Sequence, residues 1–418
     1  MRSKIVYLVF TILVSFCLLV GGISCRQSAE EKTVKVGALI ALSGAASFWG
    51  IGCLNGLEIW VDDVNAAGGI EAGGQKYKVE LFSYDDEFSV NRALEGAKKL
   101  VLEDKVNFII GPYGVPTAVG PFLDEHEIPW FTVANNYVAN RTYGMVINNP
   151  SPELACPTVA YVARTYPQAK TIAFAYQDDN SGMNHMIYTR AAAEIAGLET
   201  VYNKAFAFDT QNFSPVVAAI LNTNPDILWM GDVYPPYTTA IWEQLKMKGF
   251  EGIIGGTSWD TESLVAKVGP EYMDARLGFG LYPRFDDPSL PEENKNYFDR
   301  YVARFGEDMW SPSSWQGIGF ARAWAYGAKL AGSIDGRAVK NALKAADDVP
   351  TFFGPGGWYG TEVYGTDGLV FAKSAPIFRF VNGRESIVDY VSWFDWWENN
   401  GSYLVESLEK EGMLYYQR

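Results

Sequence analysis

Short β-rich runs alternate with amphipathic helical segments from Val34 onward, and the alternation restarts near the middle of the chain, an order that few folds accept. A strand is expected over 34–42, and Leu54, Leu57, Val61 and Val64 then recur at spacings of three and four that mark one face of a helix. Another strand is expected over 77–84, and Val90, Leu94, Ala97 and Val101 repeat the helical spacing before strands over 106–110 and 129–134. Such βαβα order predicts a mostly parallel sheet with helices on both faces. A polar stretch, Asn148-Asn149-Pro150, is suited to a crossover, and after it the pattern begins again. Strands over 171–176, 201–206, 227–231 and 252–255 interleave with helices near 184–196, 213–221 and 238–248. A β-like stretch over 279–282, a Pro/Asp-rich turn over 283–291 and helices over 294–305 and 313–331 follow. The Gly-rich stretch 354–360 reads as a third joint, before β-like runs over 369–371 and 377–380. The expected fold class is α/β: two similar lobes joined by three crossovers, the topology of a hinged clamshell.

Ahead of the first strand lies an export tag. Arg2 and Lys4 precede an apolar run from Ile5 to Val20, then Gly21 and Gly22, then Ile23-Ser24-Cys25. The run is short for a spanning helix. It resembles a bacterial lipoprotein signal, which implies a signal peptide over 1–24, lipidation of Cys25 and a polar tether over 25–33; an ordinary cleaved signal or an uncleaved anchor are the alternatives. A formal charge of −15 without any basic tract argues against nucleic acid or an anionic membrane surface as partner, since both need clustered Lys and Arg. With Cys17 in the tag and Cys25 at its end, Cys53 and Cys156 are left in the body, as one disulfide or as two buried thiols.

Catalytic signatures are sparse. His126 and His185 are the only histidines, so a cage of imidazoles around a metal is excluded, and there is no Gly-x-Ser-x-Gly elbow and no Walker-type phosphate loop. Asp85-Asp86 and Asp178-Asp179 each follow an expected strand, where Asp commonly caps the next turn or helix. The chain reads as a non-enzyme with neither cofactor nor metal. A strand-end carboxylate such as Asp232 is the one candidate for a base.

In open α/β sheets, ligands sit outside the carboxyl ends of the strands. The loops there are 43–50, 111–117 and 134–137 in the first series, and 177–182, 231–235 and 257–260 in the second; aromatic residues alternate in them with small polar ones. Candidate ligand-binding residues are Ser43, Trp49, Tyr113, Ala134, Asn135 and Asn136 from the first series, and Ser181, Tyr234, Thr257 and Trp259 from the second.

Ser43-Gly44 with Trp49-Gly50, then Asn65-Ala66-Ala67-Gly68-Gly69-Ile70, Asp85-Asp86, Gly111-Pro112 and Ile128-Pro129 resemble the leucine/isoleucine/valine-binding branch of periplasmic solute-binding proteins, over about 34–380. The Asn-Ala-Ala-Gly-Gly-Ile element is the most specific of these. The resemblance implies two Rossmann-like lobes of the type I clamshell, lobe 1 from 34–148 plus 283–353 and lobe 2 from 149–282 plus 354–392. It also implies an exported protein, periplasmic or at the cell surface, that passes a small-molecule solute to an ABC-type permease with its cytoplasmic ATPase. The solute would meet Ser43, Trp49, Asn135 and Asn136 first, and Tyr234 and Trp259 would then close over it. Family members that take amino acids hold the carboxylate with a hydroxyl and a Thr, where Val115 and Asn136 align here. They hold the ammonium with an acid, where Thr257 or Ser258 aligns, unless Asp260 restores it. These substitutions point from a standard branched-chain amino acid toward an aromatic or uncharged amide-like solute. The alternative is a sensor subunit of the same fold feeding a regulator. The segment 393–418, with Trp393, Trp396 and Trp397, extends past the resemblance, either packed as a cap or presenting its rings to a partner.

Overall fold

Parallel strands bring their carboxyl ends to a common edge, and the chain makes two such edges. The computed structural model describes residues 32–44, 46–133, 138–147, 152–257, 259–276, 279–281 and 283–415. The expected signal peptide, Cys25, nearly all of the tether, Ala134, Asn135, Asn136, Ser258 and the 148–150 crossover lie outside them.

The first sheet has nine strands among the described residues. In spatial order they are Val349–Thr351, Gly354–Tyr359, Leu369–Ala372, Gly144–Ile147, Trp130–Phe131, Phe108–Ile110, Thr33–Ile40, Gln75–Asp85 and Ile70–Ala72. The run from Leu369–Ala372 to Thr33–Ile40 is parallel throughout, with Val36 opposite Phe108, Ile109 opposite Trp130, Trp130 opposite Gly144 and Val146 opposite Leu369. These strands are buried on both faces, hence continuous apolar runs such as Phe108–Ile110 rather than alternation. Helix Ser47–Ala66 covers one face with Ser313–Ala331 beside it, while Val90–Lys98 and Pro116–Glu125 cover the other.

The second sheet runs Glu199–Phe206, Thr171–Gln177, Ile227–Met230, Ile253–Gly256, and all its pairs are parallel. It continues through single bridges, Gly255 to Phe279 and Gly280 to Phe378, into the antiparallel hairpin Ala375–Val381 and Arg384–Val391. The strand expected over 279–282 is thus reduced to bridges. The architecture is the expected α/β clamshell of two lobes.

One domain boundary is corrected. Residues 354–372, expected in lobe 2, belong to the first sheet: Gly356 lies opposite Ala372 and Leu369 opposite Val146. The chain therefore returns to lobe 2 at 373–374, not at 354–360. Glycines there read as a flexible joint, but their role is close approach. A Cβ on Gly356 would lie 2.5 Å from Val370 Cγ1, and one on Gly357 would lie 2.9 Å from Phe394 Cζ.

The tail packs. Helix Trp393–Lys410 is capped by Ser392, whose Oγ accepts the Asp395 N–H at 3.2 Å. Trp393 is buried against Tyr359 and Phe371 of the first sheet, with ring centroids at 4.9 and 5.5 Å, and Trp397 meets Tyr359 at 4.8 Å. The far end reaches the lobe 2 helix Asn180–Ile195, where Glu411 pairs with Arg190 and the Tyr415 hydroxyl donates to Asn184 Oδ1 at 2.8 Å. Truncating a wholly buried indole removes its transfer energy and leaves a cavity. Trp393→Ala is therefore expected to cost about 3–5 kcal/mol, read as a lower urea midpoint; a midpoint within error of the parent would contradict this packing.

Candidate functional site

A cavity lies between the lobes at the two facing sets of strand ends, enclosing about 830 Å³ with its mouth included. Its first wall begins where helix Ser47–Ala66 leaves the sheet. Gly50 sits so close to the first strand that a Cβ would lie 1.8 Å from the Ala41 carbonyl oxygen, which brings Trp49 over the strand end. Tyr113 lines the wall from the loop after Phe108–Ile110, its hydroxyl donating to Cys53 Sγ at 2.9 Å. Burial pushes the Cys53 thiol up to about 12, opposed by that hydrogen bond. Cys53 and Cys156 are both free and buried, so the two-thiol alternative is the one the structure takes. Ser313 and Gln316 complete this wall from the start of helix Ser313–Ala331.

Phe88 stands at the mouth on a turn held by two aspartates. Asp85 Oδ1 accepts the N–H groups of Leu42 and Glu87 at 2.8 and 3.0 Å, and Asp86 Oδ1 accepts that of Phe88 at 2.9 Å. Glu87 and Phe88 have φ of +49° and +57°, a costly conformation that this network holds. Across the mouth, Phe88 stacks on Phe208 of lobe 2 at 6.2 Å, and Trp49 meets Tyr234 at 6.5 Å. The lobes thus touch ring to ring.

The second wall comes from lobe 2. Asp179 caps helix Asn180–Ile195, its Oδ1 accepting the Gly182 N–H at 2.8 Å, with Asn180 and Ser181 following along the cavity. Buried Gln177 positions two groups at once: its Nε2 donates to Asp179 Oδ2 at 2.6 Å and its Oε1 accepts the Tyr234 N–H at 3.1 Å. Asp232 is held by Thr257, whose hydroxyl donates to Oδ1 at 2.9 Å and accepts the Asp232 N–H at 3.0 Å, and by the Ser181 hydroxyl, which donates to Oδ2 at 2.9 Å. His185 lies beneath, with Nδ1 3.8 Å from Asp232 Oδ1 and Nε2 accepting the Trp229 indole N–H at 3.0 Å. Burial lowers its pKa, with the Asp232 charge opposing, so the imidazole is neutral at pH 7. A Cβ on Gly231 would lie 1.9 Å from His185 Cδ2, so only glycine leaves room for this ring.

Of the expected site residues, Trp49, Tyr113, Ser181 and Tyr234 line the cavity. Ser43 is exposed and bonds Asp85 instead. Thr257 stands behind Asp232 rather than in the lining, and Trp259 is buried in the lobe 2 core against Trp242 and Phe378. Asp260, the residue named above as restoring an acid, caps helix Thr261–Val268 through the Ser263 N–H instead. The acids that do line the cavity are Asp179 and Asp232. Both stood in the loops singled out above, but strand-end Asp reads first as a cap. Phe88, Ser313 and Gln316 had no signal, because they reach the cleft through a left-handed turn and through the return of the chain to lobe 1.

The periplasmic binding protein family profile matches residues 33–373. The chain belongs to this family. Among curated relatives, a Leu/Ile/Val-binding protein homologue of Brucella suis biovar 1 (strain 1330) is 24% identical over 78% of this chain and 83% of its own length. The Leu/Ile/Val-binding protein BraC3 of Rhizobium johnstonii is 22% identical over 84% and 92%. Among solved structures, the leucine-binding protein LivK of Thermotoga maritima superposes with TM-score 0.70 at 18% identity, covering 87% of this chain and all of its own. A Rhodopseudomonas palustris solute-binding protein in complex with 4-hydroxybenzoate gives 0.69 at 19% identity, covering 86% and 97%. These likenesses show the fold, and the family is one of extracytoplasmic binding proteins.

Burial raises the Asp86 carboxyl from 3.8 to about 6, opposed by the Phe88 N–H and aided by the Asp85 charge. The folded state therefore binds more protons than the unfolded chain between about pH 4 and 6, and this group's contribution to stability falls as pH rises through that window. Asp86→Asn keeps an acceptor for Phe88 and removes the charge. It should flatten that decline and stabilise the protein at pH 7 by on the order of 2 kcal/mol, measured by denaturant melts of both proteins from pH 4 to 7. An unchanged difference between the two across that range would contradict the account.

Proposed function

We propose that the protein is the extracytoplasmic solute-binding component of an ABC-type importer, clasping a small organic solute of the size of an amino acid, an amide or an aromatic acid between its lobes. The observation that carries this is the cavity itself: it lies where the strand ends of two separate sheets face each other, and rings from both lobes meet across its mouth. Family membership and relatives named for Leu, Ile and Val binding support it. The partners on this reading are an ABC permease and its cytoplasmic ATPase, with a lipid on Cys25 tethering the protein to the outer face of a membrane.

The mechanism is a population shift. A solute that touches Trp49 and Tyr113 on one lobe and Tyr234 on the other gains contacts only when the lobes are shut, so it favours the shut state by that difference in affinity. The permease would read the shut form. Unfolding and refolding the protein to shed carried solute, then measuring melting in the presence of candidate solutes, tests this. A true ligand at about a hundred times its Kd adds roughly 2.7 kcal/mol of stability. Trp49→Ala should weaken that ligand about tenfold or more, since it removes a large aromatic contact surface. A protein that releases no solute on unfolding and whose melting no solute moves is not a capture protein.

A further inference from the structure

We infer that the solute captured in this cleft is an organic cation: a small aliphatic or aromatic body bearing a protonated amine, such as an alkylamine or the amide of an amino acid, and no carboxylate. This rests on the reading of the cleft as a solute site and goes on to name the charge of what enters it.

The cavity lining carries two carboxylates, Asp179 and Asp232, and no Lys, Arg or His among the described residues. The internal positions outside the description, 45, 134–137, 148–151, 258, 277–278 and 282, contain none of these three either. His185, the one imidazole nearby, is buried behind the wall and neutral, with Nε2 engaged by Trp229. Ser181 and Thr257 bond Asp232 as neutral donors and leave its charge in place. Asp179 feels the consequence: burial raises its pKa, and the Asp232 charge adds to the rise against the hydrogen bonds from Gly182 and Gln177. Two carboxylates at one cleft repel each other and attract a cation, and both effects grow as the local dielectric falls.

Helix N-termini are the usual backbone sites for carboxylates. Helices Ser47–Ala66 and Ser313–Ala331 begin at this cleft with neither a first-turn proline nor a side-chain cap, but three other helix starts are depleted of donors. Pro116 opens helix Pro116–Glu125, and Pro235 and Pro236 open helix Pro235–Met247, so these first turns lack one and two N–H groups respectively. At helix Asn180–Ile195, the Gly182 N–H is already taken by the Asp179 carboxylate. The rest of the lining combines four rings, Trp49, Phe88, Tyr113 and Tyr234, whose faces attract cations where they are presented, with the neutral polar residues Asn180, Ser313 and Gln316.

The test uses two matched series on the refolded purified protein, read by calorimetry. One is isoamylamine, leucinamide, leucine and isovalerate; the other is phenethylamine, phenylalaninamide, phenylalanine and phenylacetate. The expected result is that the best amine or amino-acid amide binds at least tenfold more tightly than the zwitterion and the anion of its series. Asp232→Asn should erase that preference, and Asp179→Asn gives the same readout should the first variant fail to fold. Tighter binding of leucine, phenylalanine or either carboxylate overturns the inference and leaves the capture reading standing. Mass spectrometry of solute released on unfolding separates the two further: a released anion or zwitterion overturns the inference alone, whereas no released solute together with no binding in either series overturns both.

Discussion

The two lobes share one hydrophobic core at the back of the cleft, and the rest of the molecule is arranged around that fact. Leu39, Ile109, Trp130 and Val146 of the first sheet belong to the same buried cluster as Phe174, Trp229 and Phe279 of the second lobe, with Tyr364, Trp393 and Leu404 closing it. Burying a large apolar side chain is worth about 1.5–3 kcal/mol, so this continuous core joins the two lobes strongly. The front is held by far less. Phe88 and Phe208 are only partly buried and meet through single ring faces. Such an imbalance joins the lobes firmly through the shared core and lightly through the rings at the mouth.

Charge is placed with the same asymmetry. The acids that line the cleft are oriented by neutral groups: Gln177 and the Gly182 N–H for Asp179, Thr257 and Ser181 for Asp232. Each donor fixes a carboxylate in space without cancelling it. His185 makes the arrangement possible by remaining neutral in a dry site, and Gly231 makes room for His185. The aspartates at the mouth, Asp85 and Asp86, serve the backbone instead, gripping the turn that carries Phe88.

Much of the fold was legible because parallel strands and amphipathic helices have strict periods. The restart after residue 150 followed from that alone, and the strands observed at Thr171–Gln177, Ile227–Met230 and Ile253–Gly256 lie where the pattern put them. Position along the chain was a poorer guide to partnership in space. Gly354–Tyr359 looked like a joint because glycine has two opposite uses, bending a chain and letting chains touch, and composition does not say which. At the site the same limit appears. Trp49 and Tyr234 stood out as rings in strand-end loops. Trp259 did too, yet it points into the lobe 2 core, because a residue at a strand end can face either way. Asp232 was visible as a carboxylate, but its pairing with Asp179 depends on two strands being neighbours in the sheet.

The tail helix has a mechanical consequence. It lies on Tyr359 and Phe371 of one lobe at its start and on the Asn180–Ile195 helix of the other at its end, beyond residue 373 where the family match stops. A rod fastened to both plates of a clasp behaves as a strut. Any wide separation of the two plates would have to lift Trp393 from Tyr359 or break the Tyr415–Asn184 hydrogen bond.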